Sequence, residues 1–182
     1  SNTFICDLIA HDRSGRSVDA RAQLYDQIYH SFYESTLALY QDQYPLFGDP
    51  EVLPVKVIWD YTYYWGVLSQ LFFQERLTDL ASLGNLREEL QHCQQLNIAM
   101  QAFLRDWSAV SERANPPAML DQASLPWFAE LNASLRQPCA DSREFQARVR
   151  ACVAQLRTLA LQMRDAAQRA HPQLQATALD AL

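Results

Sequence analysis

Glycine constrains this chain more than any other residue, because it occurs only 4 times in 182 positions. The usual share is about 7%. Glycine-rich phosphate cradles of nucleotide-binding α/β folds and the turns of all-β folds both need backbone freedom that is scarce here. Helix is what remains. With 49% apolar and 20% charged residues, the chain can build a real core, since folding at this size buries roughly 70% of the unfolded surface. The expectation is a single all-α domain over residues 1–182, an irregular bundle of about five to six helices with long, central, aromatic-rich members.

Charge and cysteine usage narrow the partners. A net charge of -6 gives no basic footprint, so nucleic acid is not an expected partner. No apolar run approaches the ~20 residues of a membrane span, and no signal pattern opens the chain. A cytoplasmic location is therefore expected. Cys6, Cys93, Cys139 and Cys152 lack CxxC or Cys/His ligand spacing, and read as buried reduced thiols rather than disulfides or metal ligands.

Residues 4–12 read as the tail of a helix, stopped at Arg13-Ser14-Gly15 and lacking a start signal, as in a chain cut from something longer. The next helix is expected to be capped by Ser17, to carry Asp19 in its first turn and to run to about Gln43. Leu24, Ile28, Phe32 and Leu39 form one apolar face. Tyr25, Tyr29, Tyr33, Leu37, Tyr40 and Tyr44 form a second, and so wide a stripe predicts a central helix packed on two sides. Pro45 to Pro54 reads as a rigid, non-helical turn pinned to the core.

Val55 to about Leu77 then reads as one long, buried helix, although Val55 to Trp65 alone would also suit a strand. Another helix runs from Leu86 to about Val110 with a seam of Leu90, Cys93, Asn97, Met100, Leu104 and Trp107. Pro116-Pro117 ends that region, and Pro126 and Pro138 bracket a short helix around Trp127 to Leu131. The last long helix, about Ser142 to Ala170, has a narrow seam of Phe145, Val149, Cys152, Leu156, Leu159, Met163, Ala166 and Ala170. Beyond Pro172 the tail, 172–182, is expected to fray.

Several constellations bear on chemistry. Glu89-x-x-His92 has the spacing by which helix bundles hold di-iron, but the second such pair that a full site needs is missing, so no metal is expected. Lys56 and Asp60 lie four apart amid Trp59, Tyr61, Tyr63, Tyr64 and Trp65; they either pair or face a polar cavity. The aromatic cluster suits either a core or the wall of a pocket for an aromatic compound, with Gly66 admitting a helix or a flat ligand. Arg143, Arg150, Arg157 and Arg164 recur every seven residues on the last helix. Residues 142–170 carry six Arg against Glu144 and Asp165, a balance of +4 against -10 elsewhere. That stripe is either a solvated face or a dock for an acidic surface of another domain or subunit. No spacing supports a Ser/His/Asp or Cys/His nucleophile.

Two stretches carry a family resemblance. Asn2-Thr3-Phe4-Ile5-Cys6-Asp7-Leu8-Ile9 resembles the helix after the last flavin-contacting loop of flavin-dependent halogenase-like, tryptophan-halogenase-type, FAD-dependent oxidoreductases. Phe32 to Leu37, Tyr40 to Pro50 and Val55 to Gly66 resemble the C-terminal helical region of the same family, so the likeness covers about residues 2 to 80. The family's dinucleotide fingerprint, its Trp-x-Trp-x-Ile-Pro motif and its lysine motif do not occur here; Lys56 is outside any such motif.

The resemblance implies a C-terminal helical cap on the substrate side of a halogenase or monooxygenase, inert alone. FAD would sit in an N-terminal flavin domain that this chain lacks, with no cofactor bound by the chain itself. Asn2 would then lie near the flavin, residues 1–12 would lead out of the missing domain, and Lys56, Trp59, Asp60, Tyr63, Tyr64 and Trp65 would help line an aromatic substrate's pocket. Excluding water there protects a reactive oxygenated flavin. The arginine stripe would serve the flavin domain or a homodimer. The competing expectation is a self-contained helical module that binds a ligand or a protein without catalysis.

Overall fold

The computed structural model describes residues 1–116 and 118–180. Among them there is no strand. In chain order the helices are α1 (Asn2–Arg13), α2 (Asp19–Leu37), α3 (Val52–Tyr64), α4 (Gln70–Phe73), α5 (Leu80–Asn85), α6 (Arg87–Val110), α7 (Pro126–Ser134), α8 (Ser142–Ala170) and α9 (Thr177–Asp180). A π-helical turn, Trp65–Ser69, joins α3 to α4, so the two form one rod with a bulge.

The centre is a three-way packing of α3, α6 and α8. On α6 the residues Cys93, Asn97, Met100, Leu104 and Trp107 are buried, one face of a helix with a 3.6-residue period. On α8 the buried line runs Phe145, Val149, Cys152, Leu156 and Leu159, then passes through Ala160 and Ala167, leaving the expected Ala166 and Ala170 exposed. Val149 and Ala167 are five turns apart at about 3.6 residues per turn. The buried side thus follows the 3.6-residue period, and a seven-residue pattern drifts off it. One core gathers around Trp59, Met100, Phe103 and Leu156, and a second around Phe4, Tyr25, Leu71 and Phe145. Phe32, Leu90 and Val153 pack against both, which makes them one body.

Several expectations are corrected. Helix α2 ends at Leu37 rather than Gln43, and its N-cap is Val18, with no side-chain cap bond from Ser17. It is peripheral, not central: only Tyr25 and Ser35 are buried, while Tyr29, Tyr33 and Leu37 face solvent. Tyrosine can coat an outer surface because its hydroxyl stays wet, so a tyrosine stripe imitates a buried face. The proline segment is partly helical. Tyr44–Leu46 is a 3-10 turn, and Val52, Leu53 and Pro54 open α3. Asp49 makes this possible: its carboxylate accepts from the N–H groups of Glu51 (3.0 Å) and Val52 (3.1 Å), and its carbonyl accepts from Leu53 (3.0 Å). First-turn N–H groups have no intrahelical partner, so prolines cost little there.

The rod stops at Phe73, short of Leu77, and it is not buried all round, since Tyr61, Tyr64, Phe72 and Phe73 are exposed. Glu75 ends it in the left-handed region (φ 56). The N–H of Arg76 then reaches Leu71 O (2.8 Å) and that of Glu75 reaches Phe72 O (3.1 Å), a Schellman closure made without glycine. The tail is docked: Leu174, Ala176 and Leu179 are buried, and α9 packs on α6. Of the segment expected to fray, residues 181–182 lie outside the described residues, as does Pro117. Among the described cysteines Cys93 and Cys152 are buried, but Cys139 is half-buried and Cys6 exposed; all are free thiols.

Candidate functional site

A chain of buried polar side chains runs through the α3–α6 contact. The Lys56 ammonium, 2% exposed, donates to Asp60 Oδ2 (2.7 Å), Gln101 Oε1 (2.8 Å) and Leu39 O (2.9 Å). Gln101 Nε2 donates in turn to Asp60 Oδ1 (2.8 Å). Burial pushes the Lys56 pKa down and that of Asp60 up, each opposed by the partner charge. The pair is thus held by saturating every donor, as a buried ion pair requires. Trp59 Nε1 donates to Asn97 Oδ1 (3.0 Å), Asn97 Nδ2 to Ser35 O (3.2 Å), and Ser35 Oγ bonds the Tyr63 hydroxyl.

This chain of bonds leads to the wall of an open groove of about 420 Å³ between α2, α5 and α6. Its apolar surface includes Ile28, Phe32, Val67 and Leu90; Ser35 and Tyr63 also line it, and Arg87 is the only charged lining residue among the described residues. Burial pushes the Tyr63 pKa up to about 12, despite the Ser35 hydrogen bond. Its hydroxyl is therefore a neutral partner across the ordinary pH range. Among the described residues no carboxylate or imidazole lines the groove. The arrangement can hold and orient an apolar molecule by hydrogen bonds and one guanidinium, in a volume within the range of about 300–1,000 Å³ usual for ligand pockets.

The six pocket candidates do not surround one cavity. Lys56 and Trp59 are sealed inside, with Trp59 0% exposed, and only Tyr63 reaches the groove. Asp60 is half-buried beside Lys56. Tyr64 is exposed, and Trp65 packs on Phe128 (4.7 Å between centroids) and Tyr61 (5.2 Å). Gly66 faces α8: a Cβ there would lie 3.5 Å from Cys152 Cβ. Asn2 is exposed at the start of α1. Arg150 pairs with Glu89 (2.6 Å), and Arg164 with Asp165 (2.8 Å) and Asp180 (2.9 Å), while Arg143 and Arg157 are exposed without an ion pair among the described residues. No group of three or more His, Cys, Asp or Glu able to hold a metal occurs among the described residues.

Sequence reasoning missed the groove's own residues, Arg87, Gln91, Gln94 and Ser31. They carry no motif; the groove is made only when α2, α5 and α6 come together in the fold. It also missed a second cluster, where Glu51 accepts from Trp107 Nε1 (3.1 Å) and Ser111 Oγ (3.0 Å) and bonds His171 Nε2 (2.5 Å), tying the tail to the start of α3. The four glycines stand apart at 15, 48, 66 and 84, and no strand–turn–helix dinucleotide cradle occurs among the described residues. No helix is long and apolar enough to cross a membrane among the described residues. No protein-family profile, curated protein or solved structure matches this chain.

Proposed function

We propose that this chain is the helical, substrate-side cap of a larger FAD-dependent oxidoreductase of the halogenase-like type, and that the α2–α6 groove is where it meets an aromatic substrate. The observation that carries the proposal is the uncovered aromatic surface of α2 and the turn after it. Tyr29, Tyr33 and Leu37, followed by Tyr40, Tyr44 and Phe47, stand in solvent beside the groove's wall. Tyr29 stacks on Tyr33 (6.4 Å between centroids) and Tyr44 lies against Phe47 (6.0 Å); a tyrosine-rich surface can stay wet alone, and its ring faces also suit cover by another protein layer. The stretches that resemble the family also supply Ser35, Lys56, Trp59, Asp60 and Tyr63, which build the buried polar chain.

In this role the chain's residues bind and exclude water; they perform no redox step. Phe32, Val67 and Leu90 would hold an apolar substrate body, and Tyr63 with Ser35 would offer it hydroxyls. FAD would be held by the other domain.

The gene's longer product provides the test. Expression with the preceding coding sequence is expected to give a flavin-containing protein in which hydrogen exchange across residues 29–44 is slower than in the 182-residue chain. A longer product without flavin overturns the proposal. The competing function, a self-contained ligand-binding module, is favoured by one observation: side chains of α2, α3, α5 and α6 converge on one groove of about 420 Å³.

A further inference from the structure

We infer that the α2–α6 groove selects an elongated apolar anion, a small molecule of about two fused or linked rings with one acidic group held by Arg87. The inference rests on the groove being the ligand site of the proposed function, and adds the charge and shape of the ligand.

Shape comes from the lining. On α2 it extends from Leu24 to Ser35, a length of about 16 Å at 1.5 Å rise per residue. Its long wall is apolar, with Ile28, Phe32 and Leu90 among its members. A volume of about 420 Å³ suits a small molecule rather than a docked helix, whose diameter alone is about 10 Å.

Charge comes from what is absent as much as from what is present. The chain carries 21 Asp and Glu, yet none among the described residues lines the groove. Arg87 does, and it has no ion-pair partner among the described residues. Arg87 is exposed where it lines the groove, so its guanidinium is within reach of a ligand entering from solvent. The groove is also polarised along its length. Asn97 bonds Ser35 O, which fixes the hydroxyl end. Arg87 lies about 15 Å earlier along α6, so it lines the groove from a position one helix segment away from the hydroxyl end. A ligand that satisfies both ends carries its acid at one end and a hydrogen-bonding group at the other.

Two dyes on one scaffold separate charge from apolar fit: 1-anilinonaphthalene-8-sulfonate, an anion, and neutral N-phenyl-1-naphthylamine. Each is titrated by fluorescence into the 182-residue chain, into Arg87→Gln, and into Ser31→Trp, which fills the groove from its rim. The expected result is that Ser31→Trp abolishes binding of both dyes. Arg87→Gln should weaken the sulfonate by about tenfold, the scale of one lost charge-assisted hydrogen bond, and leave the neutral dye within about twofold. If Ser31→Trp blocks both dyes but Arg87→Gln leaves the sulfonate unchanged, the anion preference is overturned and the groove stands as a ligand site. If neither dye responds to Ser31→Trp while circular dichroism shows the variant folded, the groove is not the site and both inferences fall.

Discussion

At Asp60 a single atom exchange separates charge from shape. Asp60→Asn leaves the Lys56 ammonium buried with neutral acceptors alone, the new amide oxygen beside Gln101 Oε1 and Leu39 O. Removing one partner of a buried pair costs about 3–5 kcal/mol; with the Asp60 side chain 24% exposed, the low end of that range is expected. The check is the urea midpoint of the single variant against Lys56→Met/Asp60→Leu, which should lose less because no charge is stranded. The pair itself was legible from the four-residue spacing. Its other members were not, because Gln101 is 45 residues from Lys56 and Leu39 is 17 away, and no local rule connects such positions. Gln91 and Gln94 were invisible for the same reason: a glutamine at a groove rim looks like any solvated glutamine.

The helices themselves were largely legible. Periodicity located the long ones and the buried line of α6, because burial of one face repeats every 3.6 residues. It failed at the π turn of Trp65–Ser69, where Gly66 gives no sign of how the ladder changes, and at the glycine-free closure at Glu75, where no breaker residue marks the end. At Gly15 the rule did work: φ is +75, and the α1–α2 turn falls there. Gly66 is a different case. It lacks a positive φ, and an added Cβ would make ordinary contact with Cys152 at 3.5 Å. Gly66→Ala is therefore expected to raise stability, by up to about 1 kcal/mol through helix propensity. Gly66→Leu should drive a side chain into α8 and cost about 1–3 kcal/mol, the usual scale of overpacking. Thermal unfolding of the two variants distinguishes an α3–α8 contact with room for a methyl from one without.

For the molecule as a whole, acid is the condition that loosens the joints. Burial raises the Glu51 pKa, but hydrogen bonds from His171, Ser111 and Trp107 outweigh it and hold the group below its ordinary value of 4.5. At Asp7 hydrogen bonds from Tyr25 and Arg21 likewise outweigh burial, and at Asp79 those from Ser82 and Arg76 do so; both stay below 3.8. A carboxyl with a depressed folded pKa stabilises fully above its unfolded pKa and loses that contribution as pH falls through the folded one. Stability should therefore drop below about pH 4.5, and more gently in Glu51→Gln, which has no charge left to lose. Urea midpoints collected from pH 6 down to pH 3 test the difference in slope. Because α8 runs through both cores, the decline should be one transition, seen alike by tryptophan fluorescence and circular dichroism.

Lys56, the chain's sole lysine, spends all three of its N–H bonds inside the fold. Amine-directed acylating reagents should leave that position untouched while the body is closed and modify it once the body opens. Peptide mapping after timed labelling would then give the rate of global opening from one site, with no probe to engineer.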